Sequence, residues 1–278
     1  MRLATIRTSD GTAAVRVDPS EAVEVGASDV GEVLRQPGWH ARAAEADGHR
    51  FAVDSLEYAP LVPRPDKIIC VGLNYRRHIL EMGRELPEYP TLFAKYSSAL
   101  IGAHDDIVLP DVSSKVDWEA ELAVVIGAPA RHVGPDEAEA AIAGYSVLND
   151  VSMRDFQNRT LQWLQGKTFE SSTPLGPELV TVDQSSGTDG FELACEVEGE
   201  LVQKANTADL VFGPAALVSY ISDIFTLAPG DVIATGTPGG VGHARTPPQY
   251  LEDGAVVMTR IDGVGECRNR CRRESAAR

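Results

Sequence analysis

Val116-Asp117-Trp118-Glu119-Ala120-Glu121-Leu122, running directly into Ala123-Val124-Val125-Ile126, is the stretch on which the reading of this chain turns. Side chains alternate faces along a strand, so one continuous strand here puts Asp117, Glu119 and Glu121 on one side and Trp118, Ala120 and Leu122 on the other. Three acids on one face repel one another unless water or a cation lies between them, and the apolar run that follows carries the strand into a core. A hard divalent ion resolves the conflict. The alternative is a solvated outer face on an edge strand.

Upstream of that stretch, Lys67-Ile68-Ile69-Cys70-Val71-Gly72-Leu73 reads as a buried strand, and residues 74–83 as a polar helical turn ending at a glycine. A polar, proline-containing loop over 84–90 leads to Thr91-Leu92-Phe93-Ala94-Lys95, where more sheet is expected. Leu61-Val62-Pro63-Arg64-Pro65-Asp66 contains two prolines that hold the chain extended and interrupt pairing, which marks a boundary between a small unit over 1–62 and a larger one over 63–278. Within the small unit, residues 3–8 and 12–17 flank Ser9-Asp10-Gly11 as a hairpin, and a helical pattern follows at Val30–Leu34. No motif in it carries chemistry.

Downstream, residues 135–143 read as a helix with proline in its first turn, 144–150 as a strand ending on an acid, and the stretch with Arg154, Gln157 and Trp163 as helical up to Gly166. Residues 191–197 and 201–205 pair across Glu198-Gly199-Glu200. A helix over 214–227 is expected from the spacing of Leu217, Val218, Ile221, Ile224 and Phe225. A strand then feeds the glycine-rich Thr235-Gly236-Thr237-Pro238-Gly239-Gly240-Val241-Gly242, and 255–261 forms a last strand in a meander. The whole reads as mainly β, of α+β class, with a few short helices.

With 278 residues the chain can bury a substantial core. Its net charge of −16 argues against nucleic acid or an anionic membrane as partner, yet is compatible with a local cationic pocket for a small anion. No apolar run approaches a membrane span, and Met1 to Arg7 lacks the apolar stretch of a secretory signal, so the expected location is cytoplasmic. Cys70, Cys195, Cys267 and Cys271 are too few and too scattered for a disulfide scaffold and read as passive thiols.

Asp150 is the natural third ligand beside Glu119 and Glu121. Three carboxylates completed by water suit Mg²⁺ or Mn²⁺, whereas zinc would want the His or Cys that this cluster lacks. The plainer reading of Asp150 is a turn residue. His78 and Glu81, three apart, share one face of a helical turn, where the carboxylate can orient the imidazole as a base for water; the plainer reading is two surface residues. Gly166-Lys167-Thr168 is no phosphate loop, because that pattern needs glycine where Leu161 stands. Lys167, flanked by Leu164 and Phe169, can instead stabilise an oxyanion from a partly dry pocket, unless it is simply solvated. The 235–242 loop can turn backbone N–H groups and hydroxyls on a carboxylate, with Arg154 and Gln157 as further donors.

In this order, Gly72-Leu73-Asn74-Tyr75 with His78-x-x-Glu81, Asp117-Trp118-Glu119-Ala120-Glu121-Leu122, Asn149-Asp150-Val151-Ser152-Met153-Arg154-Asp155, Gly166-Lys167-Thr168-Phe169 and Gly236-Thr237-Pro238-Gly239-Gly240-Val241-Gly242 resemble the fumarylacetoacetate hydrolase family. The resemblance runs from Lys67 to about Arg272. It implies a mixed β-roll or β-sandwich catalytic domain, behind a small N-terminal domain, in a homodimer that binds Mg²⁺ or Mn²⁺. By motif position Glu119, Glu121 and Asp150 would hold the metal, with Asp117 left outside. His78 and Glu81 would activate water on a segment that closes over the substrate, Lys167 would stabilise the oxyanion, and Arg154, Gln157 and Thr237 would bind the substrate. Thr168 and Glu170 stand where many relatives carry Ser and Asp. The leading expectation is hydrolysis of a C–C bond in a 2,4-dioxo acid of acylpyruvate or fumarylpyruvate type, releasing pyruvate in the catabolism of an aromatic compound. Oxaloacetate decarboxylation, or isomerisation or hydration of a 2-oxo acid, is the rival within the family, and a non-catalytic, metal-dependent 2-oxo acid binder the rival outside it.

Overall fold

The computed structural model describes residues 1–185 and 190–276. Strand Ala120–Ile126 is buried at every position and runs inside an eleven-stranded mixed sheet, antiparallel to Ile142–Asn149 on one side and to Val232–Ala234 on the other. Val232–Ala234 continues in parallel to Ile68–Gly72, and Thr91–Lys95 closes that edge. Beyond Ile142–Asn149 the sheet passes through Thr173–Thr181 to Arg2–Thr8 and the strands of residues 1–62.

A second, five-stranded sheet packs on the first. It contains the expected hairpin of Glu192–Val197 with Glu200–Asn206, then Val256–Ile261 and Gly265–Arg273, with Ile107–Leu109 at its edge. Leu122, Val147 and Val180 meet Leu193, Cys195, Val257 and Cys267 in the core between the sheets. Elsewhere the large sheet is covered by helix Pro214–Ile224, whose Leu217, Val218 and Ile221 pack on Ile69, Val124, Ile126 and Ile233. The fold is mainly β, as expected, and all four cysteines are buried and free.

The expectation of one unbroken strand through residue 119 is corrected. Val116–Asp117 forms a separate ribbon with Ser152–Met153, and Trp118 and Glu119 leave the ladder. The reason is a change of hydrogen-bond partner: the N–H groups of Trp118, Glu119 and Ala120 donate to side-chain oxygens of Asp117 (2.9 Å), Asn149 (2.9 Å) and Gln203 (3.0 Å). Backbone donors satisfied this way need no neighbouring strand. Helix 135–143 is shorter than expected, ending at Ala140, because Ile142 and Ala143 enter the sheet. The helical stretch after Arg154 is two four-residue helices, Arg154–Gln157 and Leu164–Lys167, with no helix between them.

Candidate active site

Strand register gathers the acids. Glu121 lies opposite Leu148 and Ala120 opposite Asn149; one step further the Asp150 N–H donates to the Glu119 carbonyl at 2.8 Å. Glu119 and Asp150 therefore face each other where the ladder ends, with Glu121 two residues along. One carboxylate oxygen from each of Glu119, Glu121 and Asp150 lies within 4.8 Å of the others, and all three residues are buried. Three converging carboxylates are a donor set for a divalent cation.

Buried cations balance them. Lys167 Nζ donates to Glu119 Oε2 (2.7 Å) and Asp150 Oδ2 (2.8 Å), and Arg154 Nη1 pairs with Glu119 Oε1 at 2.7 Å. Arg154 Nε holds Asp117 Oδ2 at 2.8 Å and Nη1 also donates to Gln157 Oε1 at 2.8 Å, while Nη2 is buried with no partner among the described residues. Burial, then the charges of Asp150 and Glu119, push the Glu121 carboxyl well up. Burial acts in the same sense on Asp150, but the ammoniums of Lys167 and Lys95 outweigh it and hold that carboxyl low. Lys167 stays protonated for the reciprocal reason: burial lowers its pKa, and Asp150 and Glu119 raise it by more. Gly166 lets this happen, since a Cβ there would lie 2.4 Å from the Gln157 nitrogen and force the two short helices apart.

Above the acids is a cavity of about 280 Å³ whose wall includes Glu119, Arg154, Gln157, Lys167, Thr237 and His78. Its apolar side has Phe93 against Trp163, ring centroids 5.4 Å apart, and Lys167 Nζ lies 5.1 Å from the Phe93 ring. The dry neighbour of Lys167 is thus Phe93; Phe169, expected in that place, packs on Phe156 instead. Arg84, from the 84–90 loop, and His243, just past the glycine-rich loop, also border the cavity.

His78 is half-buried on helix Arg76–Glu81, and its imidazole pKa is lowered, by burial first and against the pull of Glu81 and Glu119. The expected His78–Glu81 contact is not formed: no hydrogen bond joins them among the described residues. Glu81 and His78 both border a second cavity of about 440 Å³, and His78 lines the first as well. Both side chains approach Gly239, where a Cβ would lie 3.3 Å from His78 Nδ1 and 3.4 Å from Glu81 Oε2. A side chain at position 239 would crowd both.

The glycine-rich loop spends donors on the protein's own acids. Gly236 N–H donates to Glu121 Oε2 (2.7 Å), and the N–H groups of Gly242 (2.7 Å) and His243 (3.0 Å) donate to Asp117. Gly236 has φ +101°, and a Cβ there would lie 2.8 Å from the Val71 carbonyl, so the turn that aims its N–H at Glu121 depends on glycine. The Thr237 hydroxyl lines the cavity while donating to the Ala120 carbonyl (3.0 Å) and accepting from Gln203 Nε2 (2.8 Å). Sequence reasoning missed Lys95, whose Nζ is 2.5 Å from Asp150 Oδ1 with a side chain 0% exposed. Only the lysine ending an otherwise apolar strand was available as a signal.

Paired acids and ammoniums under a small cavity, with one guanidinium nitrogen buried and without a partner among the described residues, make this a candidate active site. The sequence model described as fumarylacetoacetate (FAA) hydrolase C-terminal matches residues 67–272, and the chain belongs to this family. It is 46% identical over 205 residues to a mitochondrial oxaloacetate tautomerase of Rattus norvegicus, which is 73% of this chain and 66% of the rat protein. The human protein of that name is 46% identical over 206 residues with the same coverage, so the chain spans just under two thirds of the length of these curated relatives. Among solved structures, a fumarylacetoacetate hydrolase from Exiguobacterium antarcticum aligns with TM-score 0.89 at 31% identity, covering 99% of this chain and 100% of that one. A 5-carboxymethyl-2-hydroxymuconate delta-isomerase from Mycobacterium smegmatis aligns with TM-score 0.83 at 33% identity and the same coverage. No helix among the described residues is long and apolar enough to cross a membrane.

Proposed function

We propose that this enzyme interconverts the keto and enol forms of a small 2-oxo diacid, oxaloacetate being the substrate that fits best. The observation that carries the reading is Arg154, which lines the cavity with Glu119 and Lys167 and whose buried Nη2 has no partner among the described residues. A carboxylate next to a 2-oxo group satisfies that donor and sets the oxo oxygen against the ammonium.

The reaction moves one proton. The C3–H bond breaks, its electrons form the C2–C3 double bond, and the C2 oxygen takes up a proton. His78, the imidazole on helix Arg76–Glu81, is the base that receives the C3 proton and can return it to oxygen. Its lowered pKa keeps it in the basic form near neutral pH. Lys167 stabilises the charge growing on the oxygen, from a site where burial strengthens the interaction. Glu119, Glu121 and Asp150 would hold a Mg²⁺ or Mn²⁺ ion, which supplies electrophilic stabilisation of the enolate when bound. The relatives that share 46% identity and carry the tautomerase name support this choice.

Hydrolysis of an acylpyruvate is the second reading, favoured by the apolar side of the cavity, where Leu73, Met82, Phe93 and Trp163 could take an acyl chain. The two separate in one experiment. Decay of the oxaloacetate enol is followed with the protein, with the protein after EDTA and with metal restored, alongside pyruvate release from acylpyruvates of increasing length. Metal-dependent enol decay without pyruvate release supports tautomerisation, pyruvate release as the faster reaction transfers the assignment to hydrolysis, and neither activity removes both. Assembly as a homodimer belongs to the same proposal, and sedimentation velocity checks it.

A further inference from the structure

Building on the reading of Glu119, Glu121 and Asp150 as a cation centre, we propose that Lys95 makes this centre select a small six-coordinate cation over calcium. It does so by withholding one oxygen of Asp150 from coordination. Lys95 does not line the cavity above the acids; it is a positioning residue acting through Asp150.

The argument rests on which oxygens are already held. Asp150 Oδ1 is held by Lys95 Nζ at 2.5 Å, Glu121 Oε2 by the Gly236 N–H at 2.7 Å, and Glu119 Oε1 by Arg154 at 2.7 Å, with Arg154 itself anchored on Asp117. Each acid is left with one oxygen: Asp150 Oδ2, Glu121 Oε1 and Glu119 Oε2. Lys167 reaches two of these, but it borders the cavity and can turn to a substrate oxygen. Three single-oxygen ligands leave the remaining positions to water and substrate, which suits Mg²⁺ and its octahedral shell. Ca²⁺ takes 6–8 oxygens and commonly draws two from one carboxylate.

Among the three holding donors, Lys95 is the one that brings a sealed positive charge. Gly236 contributes a neutral backbone N–H, and the charge of Arg154 is shared with Asp117 and borders the cavity. Lys95 ends strand Thr91–Lys95, pairs with Ile68, and its Nζ also reaches the Val151 carbonyl at 3.3 Å, so its side chain has nowhere to retreat. For Oδ1 to approach Ca²⁺ at roughly 2.3–2.6 Å, the ion would have to share that oxygen with an ammonium and no water between them.

Lys95→Met keeps the stem and removes the charge. Calorimetric titration of Mg²⁺, Mn²⁺ and Ca²⁺ into EDTA-stripped protein should show the ratio of the Ca²⁺ to the Mg²⁺ dissociation constant falling about tenfold or more in the variant. An unchanged ratio overturns the role of Lys95 and leaves the cation centre standing. Failure of the unsubstituted protein to bind any of the three ions overturns both. Crystals of the unsubstituted protein loaded with Mn²⁺ decide independently if the variant does not fold. Asp150 on the ion through one oxygen, with Oδ1 still on Lys95, supports the proposal, and both oxygens on the ion overturn it.

Discussion

The floor and the rim of the cavity are built by different means. On the floor, Glu121, Asp150, Lys95 and Lys167 are at most 2% exposed, and their places follow from ladder register and from ion pairs no longer than 2.8 Å. On the rim, His78 and Glu81 ride a six-residue helix in which only Ile79 is buried, and no hydrogen bond joins the two among the described residues. The floor is a fixed electrostatic environment, where removal of one charge strands another in low dielectric. The rim is held by less packing, so in the proposed reaction its residues should affect rates while contributing little to folding.

The largest effect is expected where both consequences meet. Lys167→Ala removes the ammonium shared by Glu119 and Asp150, so enol turnover should vanish and stability fall by about 3–5 kcal/mol, read by activity assay and urea unfolding. Turnover within about tenfold of the parent contradicts the role given to Lys167. Glu121→Gln should separate the two consequences. Burial and the neighbouring acids already favour the uncharged carboxyl, and an amide oxygen can still accept from the Gly236 N–H. Its Tm should stay within about 4 °C, while turnover drops by at least about 10³-fold and divalent-ion binding weakens in calorimetry. A large loss of Tm would show that the folded protein needs Glu121 charged.

How much of this was legible follows the same division. The apolar run after Glu121 declared a buried strand because every residue from Leu122 to Ile126 is one that cores favour, and the convergence of Glu119, Glu121 and Asp150 was anticipated from acids set at strand ends. The break at Trp118–Glu119 was not, because Asn149 and Gln203, which hold the Glu119 and Ala120 N–H groups, are distant in sequence, and only Asp117, which holds that of Trp118, is adjacent. Strand Thr173–Thr181 was hidden by Pro174, Gly176 and Pro177, which argue against a central strand; a register shift opposite Tyr145–Val147 falls between Gly176 and Val180, where Pro177 lies, while Pro174 lies opposite Ile101. Lys95 was illegible since its meaning lies in Asp150, 55 residues away. On the rim, three-residue spacing correctly put His78 and Glu81 on one helix. Spacing alone carried no sign that both side chains would approach Gly239 and border a shared cavity without a hydrogen bond between them.

The smaller effects sharpen the rim's side of the contrast. His78→Gln should lower kcat/KM by about 10²-fold or more with Tm and metal affinity unchanged, since the imidazole contributes a proton transfer and no structural bond. For the parent, kcat/KM should fall on acidification only as pH drops through a value below His78's ordinary 6.5, because burial favours the neutral ring that acts as base. Glu81→Gln removes a carboxylate that pulls this pKa upward, so the acidic limb should move to still lower pH. The rate at neutral pH should change by less than about tenfold, because Glu81 is exposed and its influence is screened. If Glu81 instead makes a tight dyad with His78 in the working enzyme, the limb still moves, but the neutral-pH rate falls as far as it does in His78→Gln. A pH–rate profile of the two variants side by side therefore tells a loosely held rim from one that closes into a rigid pair during turnover.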